Sequence, residues 1–116
     1  MIIAVDFDGT IVEHKYPKIG APKRFAFDTL RELQRRGHKL ILWTSRTGKY
    51  LEEAIEFCRK HGVEFYAVNA NYPGEDYCDS EVGRKIYADV YIDDKNFGGF
   101  PGWGKIWQVL IENQNY

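Results

Sequence analysis

The chain has 116 residues, of which 44% are hydrophobic and 28% are charged, and its formal net charge is −1. This length supports one hydrophobic core but not two, so we predict a single domain over residues 1–116. The balanced charge argues against nucleic acid or an anionic membrane surface as a partner, and no apolar stretch approaches the length of a membrane span.

Two further features indicate the compartment. The opening apolar run, Ile2 to Val5, is too short for a signal peptide. The only cysteines, Cys58 and Cys78, show no metal-type spacing. A reducing cytoplasm is therefore the expected location.

Strand and helix patterns alternate along the chain. Short apolar runs mark the strands, and apolar residues repeated every three or four positions mark the helices. Proline and glycine stand where several of these patterns begin or end. In chain order the predicted elements are a strand Ile2–Phe7, an irregular segment over 9–22, a helix Pro22–Gly37, a strand Lys39–Thr44, a helix Lys49–His61, a strand Val63–Val68, a loop over 69–84, a strand Ala88–Ile92 and a last helix from Trp103.

This alternation predicts an α/β domain with one parallel sheet, right-handed crossovers and flanking helices. The run Leu40-Ile41-Leu42-Trp43 is apolar throughout, as expected of a parallel strand that is buried on both faces.

The most informative motif is Asp6-Phe7-Asp8-Gly9-Thr10, which ends the first predicted strand. Two carboxylates so close together at the end of a buried strand are costly to hold without a cation or a shared proton. The carboxyl end of a parallel strand is where α/β sheets build their sites. The pair suits a nucleophilic carboxylate beside an acid/base carboxylate. A plain polar junction between strand and loop is the alternative interpretation.

Polar residues also end two other strands. Thr44-Ser45-Arg46 follows the second strand, and Asp93-Asp94 follows the fourth. Because the carboxyl ends of parallel strands share one edge of the sheet, we expect these groups to lie beside the Asp6/Asp8 pair. Four acids at one edge would repel each other, and Mg²⁺, which prefers carboxylate and water oxygens, would relieve that repulsion. Lys85 would add positive charge there.

A phosphate would also suit this edge. The hydroxyl groups of Thr44 and Ser45 are hydrogen-bond donors, and the helix after Gly48 presents its N-terminus nearby.

These motifs resemble those of the haloacid dehalogenase (HAD) superfamily of phosphohydrolases over nearly the whole chain. The family's first motif reads DxDGT, as at residues 6–10. Its second is a Thr or Ser that ends an apolar strand, matched by Thr44. Its third is a Lys ahead of the last core strand, best matched by Lys85, with Lys95 as the rival. Its fourth is an acidic pair that ends that strand, matched by Asp93-Asp94.

The resemblance implies a mechanism. Asp6 would attack phosphorus and form an aspartyl-phosphate. Asp8 would protonate the leaving oxygen and later deprotonate the attacking water. For the metal, the resemblance implies Asp6, the backbone carbonyl of Asp8 and Asp94 as ligands of Mg²⁺, with Asp93 acting through a water or orienting a partner.

The remaining roles concern the phosphate. Thr44 and Lys85, helped by the Phe7 amide, would bind the oxygens of the transferring phosphoryl group. Ser45 and Arg46 directly follow Thr44 in the sequence and are further candidates for binding substrate. Aromatic residues in the nearby loops are candidates for contacting a leaving group, although such residues more often close the core: Tyr72, Tyr77, Phe97, Phe100 and Trp103.

The resemblance further implies a three-layer, Rossmann-like (HAD-like) sheet. HAD enzymes usually carry a cap domain after the first or third strand, but here the segments 9–22 and 69–84 are short, so we predict a capless enzyme. An open site suits a bulky phosphorylated substrate, such as a polymer end or a protein, or a site covered by a neighbouring subunit of a homo-oligomer.

Three other functions fit the sequence less well. A receiver-type phosphoacceptor module would place its phosphorylated Asp after the third strand, where this chain has Asn69. A phosphomutase or phosphotransferase needs a closed site that excludes water. A pure binding module leaves the four acids unexplained.

Overall fold

The structure, a computed structural model, describes residues 1–75 and 86–113. Its elements follow the predicted alternation of strands and helices. In chain order they are β1 (Ile2–Val5), α1 (Ala26–Arg35), β2 (Lys39–Leu42), α2 (Gly48–Lys60), β3 (Ala67–Val68), β4 (Val90–Ile92) and α3 (Trp103–Trp107), which continues as a π-helical segment over Gln108–Glu112.

Within these residues, the strands form one parallel sheet in the order β3-β2-β1-β4. β1 lies at the centre, where Val5 pairs with Leu42 on one side and with Ile92 on the other. Because all the strands run the same way, the residues that follow β1, β2 and β4 emerge at one edge, which we call the carboxyl edge.

The two faces of the sheet are covered differently. One face carries Ile3, Val5, Leu40 and Leu42, which pack in the main core with apolar residues of all three α-helices. The alternation of side chains along a strand turns Ile41 to the opposite face. There the second cluster contains Ile41, Ala67, Ala70 and Ile86, with Ile2, Trp43 and Tyr66 packed against it.

The first helix begins later than its sequence pattern predicts. Pro22 is not its first residue, because it pairs with Val12 in an isolated antiparallel bridge. The amide of Lys23 also donates to the carbonyl of Ile11 at 2.8 Å. The backbone of residues 9–22, which we call the flap, thus folds back on itself before α1 starts at Ala26.

Of the predicted third strand, Val63–Val68, only Ala67–Val68 forms a strand of the sheet. Residues 63–66 precede β3 without joining it as strand, although Tyr66 donates its amide to the Leu40 carbonyl at 2.7 Å. The predicted loop over 69–84 falls partly outside the described residues, and so do Tyr77, Cys78 and Lys85.

The predicted fold class is confirmed: the chain is an α/β protein with a parallel, Rossmann-like sheet flanked by helices, and the described residues contain no cap. In the same residues, none of the helices has both the length and the apolar character that crossing a membrane requires.

Candidate active site

Three aspartates meet at the carboxyl edge. Asp6 directly follows β1, and its amide donates to the Ile92 carbonyl at 3.0 Å, while Asp93 and Asp94 directly follow β4. One carboxylate oxygen from each of Asp6, Asp93 and Asp94 lies within 4.8 Å of the other two. We call these residues the aspartate cluster. The structure thus brings together residues 87 positions apart because β1 and β4 are neighbours in the sheet.

The pKa of Asp6 is perturbed in the aspartate cluster. The pKa of Asp6 is raised to about 7, first because the carboxyl is partly buried and then because Asp93 and Asp94 are negatively charged neighbours. A backbone hydrogen bond from Phe7 acts in the opposite direction. Ionised Asp6 is therefore costly here unless a cation or a proton accompanies it.

Thr10 holds two members of the cluster in place. Its hydroxyl accepts the Asp94 amide at 3.0 Å and lies 3.4 Å from a carboxylate oxygen of both Asp6 and Asp94. The indole N–H of Trp103 donates to the Thr10 carbonyl at 2.7 Å. Trp103 is buried, so it supports the site from the core and does not face a leaving group.

The sequence motif contained Thr10 but gave it no role. The signal that would have identified it is its position four residues after Asp6, where a single turn returns the hydroxyl to the aspartate. The amides of Thr10 and Ile11 do bond back to the Phe7 carbonyl, at 3.1 and 2.9 Å.

Asp8 lies apart from the cluster and pairs with Arg46. Nε and Nη2 of Arg46 donate to the two carboxylate oxygens of Asp8 at 2.7 and 2.8 Å. The side chain of Arg46 is fully buried, and that of Asp8 is 12% exposed. The sequence placed Arg46 at an open edge, ready to bind substrate, whereas the structure commits it to the candidate acid/base.

Two other predicted residues follow β2, which ends at Leu42, two residues before the predicted end at Thr44. Thr44 is partly exposed, its amide donates to Asn69 Oδ1 at 2.8 Å, and its hydroxyl accepts the amide of Arg46 at 3.2 Å. The hydroxyl hydrogen of Thr44 is not used by these bonds and is available to a ligand. Ser45 is exposed beside it.

The remaining candidates are placed as follows. Lys85 lies outside the described residues, and Lys95 is exposed, with its amide donating to Asp93 Oδ1 at 3.0 Å. Tyr72 and Phe97 are exposed, whereas Phe100 packs edge-on against Trp103.

The donor set of the cluster fits a hard cation. Three carboxylates that can reach a common point are ligands of the kind Mg²⁺ prefers, together with water. A cation there would also offset the mutual repulsion that raises the pKa of Asp6. The carboxyl edge therefore brings together three clustered carboxylates, the Thr44 hydroxyl and a separately held carboxylate, that of Asp8.

The solved structures include a protein that is similar to this chain. The chain is similar to a conserved protein from Bacteroides thetaiotaomicron, with 52% identity over 97% of this chain and 90% of that chain and a TM-score of 0.85. The chain belongs to the same family as that protein. The sequence matches no family model, and no curated protein matches it.

Proposed function

We propose that this protein is a Mg²⁺-dependent phosphohydrolase of the HAD type that acts on phosphate monoesters through an aspartyl-phosphate on Asp6. The observation that carries the proposal is the meeting of Asp6 with Asp93 and Asp94 at the carboxyl edge, next to the DxDGT turn. Thr44, whose hydroxyl we assign to the phosphate, follows the neighbouring strand β2 at the same edge.

In the first step, a carboxylate oxygen of Asp6 bonds to phosphorus while the bond from phosphorus to the leaving oxygen breaks. Asp8 gives its proton to that oxygen. In the second step, Asp8 takes a proton from water as the water oxygen bonds to phosphorus and the bond between Asp6 and phosphorus breaks. The net reaction is hydrolysis of the ester.

The cation would be held by Asp6 and Asp94, with Asp93 as a further ligand through water and the Asp8 carbonyl as a backbone ligand. When bound, it neutralises charge on the phosphoryl oxygens and on the cluster. Thr44, Ser45, the Phe7 amide and Lys85 are the groups of this chain that we assign to the phosphate, with Lys95 as the alternative lysine.

The absence of a cap among the described residues supports an open site. We therefore propose a bulky or macromolecular phosphorylated substrate, or a small one covered by a second copy of the chain. The one cysteine described, Cys58, is a buried free thiol, which suits the reducing cytoplasm expected from the sequence.

The test separates the two carboxylates of the motif. Asp6→Asn removes the nucleophile, so we expect neither turnover nor covalent phosphate. Asp8→Asn keeps the nucleophile, so phosphate from an activated ester should accumulate on Asp6 while turnover falls by about 10²- to 10⁴-fold. Rapid quench followed by mass spectrometry measures both. Phosphate on any other residue would refute the mechanism, and stable phosphorylation of wild-type Asp6 without turnover would favour a receiver-type switch.

A further inference from the structure

Arg46 contacts three separate parts of the protein while its side chain stays out of solvent. It pairs with Asp8 after β1. It reaches the flap, where it donates to the carbonyls of Pro17 and Lys18 at 3.2 and 2.9 Å. It also donates to the Tyr50 carbonyl in the first turn of α2 at 3.3 Å.

These contacts use the whole guanidinium. The group has five N–H bonds and cannot accept a hydrogen bond. Nε donates once, while Nη1 and Nη2 donate twice each, which accounts for all five. The rings of Phe7 and Tyr16 lie 5.1 and 5.0 Å from its central carbon. No donor is left for a phosphate or a leaving group.

We propose that Arg46 is a positioning residue, which fixes the orientation of the Asp8 carboxyl and links that orientation to the position of the flap. A guanidinium that meets both oxygens of a carboxylate fixes its plane, which a lysine ammonium does not. Arg46 uses one lone pair of each Asp8 oxygen and leaves a second one on each for other partners.

The proposal rests on the proposed acid/base function of Asp8 and assigns Arg46 as the residue that positions its carboxyl group. Proton transfer requires the carboxyl to lie within hydrogen-bond reach of the leaving oxygen. Since one guanidinium holds both Asp8 and the backbone of residues 17–18, a displaced flap would also release Asp8. A substrate that contacts the flap would then influence proton transfer without touching Asp8.

The first experiment compares leaving groups. For Arg46→Lys, the rate of the phosphorylation step is measured by rapid quench with p-nitrophenyl phosphate and with a primary alkyl phosphate. We expect a loss of about 10- to 100-fold for the alkyl ester, which needs a proton, and of less than about 3-fold for p-nitrophenyl phosphate, which does not. KM should stay unchanged. Equal losses for both esters, or a raised KM with unchanged kcat, would overturn the proposal.

A double-mutant cycle tests whether Arg46 acts through Asp8. In an Asp8→Asn background, Arg46→Lys should cause no further loss with the alkyl ester. Losses that multiply would show independent action and refute the proposal. The matched control is Arg31→Lys, which breaks an ion pair with Asp28 and a bond to the His61 carbonyl away from the site, and it should behave as wild type.

Hydrogen exchange tests the link to the flap without relying on activity. The amide of Glu13, which donates to the Ala21 carbonyl within the flap at 2.8 Å, should exchange faster in Arg46→Lys than in wild type. Should that variant not fold, Tyr16→Leu removes the exposed ring that packs on the guanidinium and on the Tyr50 ring, and it should show the same leaving-group preference at a smaller size. Unchanged flap exchange in Arg46→Lys, or no preference in Tyr16→Leu, would contradict the proposal.

The two proposals fail in different ways. Turnover by Asp6→Asn at the wild-type rate would refute the phosphohydrolase mechanism itself. If Asp6→Asn is inactive and Arg46→Lys slows phosphorylation by the same factor with both esters, only the role of Arg46 is refuted.

Discussion

Gly9 and Asp94 lie in such close contact that a methyl group on Gly9 would stand 2.2 Å from Asp94 Oδ2. Gly9 also has a φ of +84°, which residues with a side chain rarely adopt. The glycine of the DxDGT motif therefore has two functions: it lets the chain turn after Asp8, and it leaves room for an acid that arrives from β4.

This contact predicts the effect of Gly9→Ala. The added methyl should displace the Asp94 carboxylate, weaken Mg²⁺ binding and lower activity, besides a backbone strain of about 1–2 kcal/mol. Gly37→Ala is the matched control, since Gly37 has a φ of +90° and open space around it. Thermal unfolding should show destabilisation in both variants, and more in Gly9→Ala because its methyl group also meets Asp94, whereas calorimetric titration with Mg²⁺ should detect a loss only in Gly9→Ala. Equal Mg²⁺ affinities would contradict the assignment of Asp94.

The two aspartates after β4 should contribute unequally to binding of the cation. Asp94 is our direct ligand, whereas Asp93 Oδ1 already accepts the Lys95 amide. Asp94→Asn should therefore weaken Mg²⁺ binding more than Asp93→Asn, as measured by metal titration of both proteins. Activity on p-nitrophenyl phosphate should also be lost with a chelator and restored by Mg²⁺. The reverse order of the two variants, or activity that survives full chelation, would show that this metal assignment is wrong.

The raised pKa of Asp6 predicts how the stability of the metal-free protein depends on pH. The folded pKa of about 7 exceeds the ordinary value of 3.8 for an aspartate, so the folded protein binds this proton more tightly than the unfolded chain. The contribution of Asp6 to stability should therefore fall as pH rises from about 4 to 7. Asp6→Asn removes this penalty.

Thermal unfolding in chelator checks this expectation. At pH 8, Asp6→Asn should unfold at a higher temperature than wild type, and each kcal/mol of relief corresponds to about 4 °C in Tm for a domain of this size. At pH 4 the two proteins should differ much less. A wild-type protein that matches or exceeds Asp6→Asn at pH 8 would contradict the burial and repulsion seen at the cluster.

Thr10 should be required for the geometry of the cluster. Thr10→Val keeps the shape but leaves the partly buried Asp94 amide without its acceptor, at a cost of about 1 kcal/mol. Activity and Mg²⁺ affinity should both fall, and Thr10→Ser should restore them. Thr29→Val is the control, because the equally buried Thr29 hydroxyl bonds only to the Phe25 carbonyl in this part of the structure. If both valine variants have the same activity, Thr10 has no special role.

The open site predicts weak binding of small substrates. Without a cap, a small phosphomonoester gains few contacts beyond its phosphate, so its KM should lie at or above the upper end of the common range, about 1 mM. Steady-state kinetics with a panel of metabolites, nucleotides, sugar phosphates and phosphopeptides checks this. Micromolar KM for a small metabolite, turned over by a protein shown to be monomeric, would mean that the flap covers the substrate.

The sequence by itself determined the fold class and the place of the aspartate cluster. Apolar runs and helical periodicity depend on local side-chain patterns, and parallel strands deliver their carboxyl ends to one edge whatever their exact lengths. This geometry was enough to bring Asp6 together with Asp93 and Asp94.

Only the tertiary structure decided the start of α1 and the partner of Asp8. Pro22 satisfies a helix-start preference, but pairing with Val12 in the flap competes with it and prevails. Arg46 and Asp8 are 38 positions apart, and nothing in the local pattern distinguishes an exposed arginine from a buried one. Its burial follows from five acceptors supplied by Asp8 after β1, by the flap and by α2 together, because a buried guanidinium is tolerated only where every N–H is satisfied.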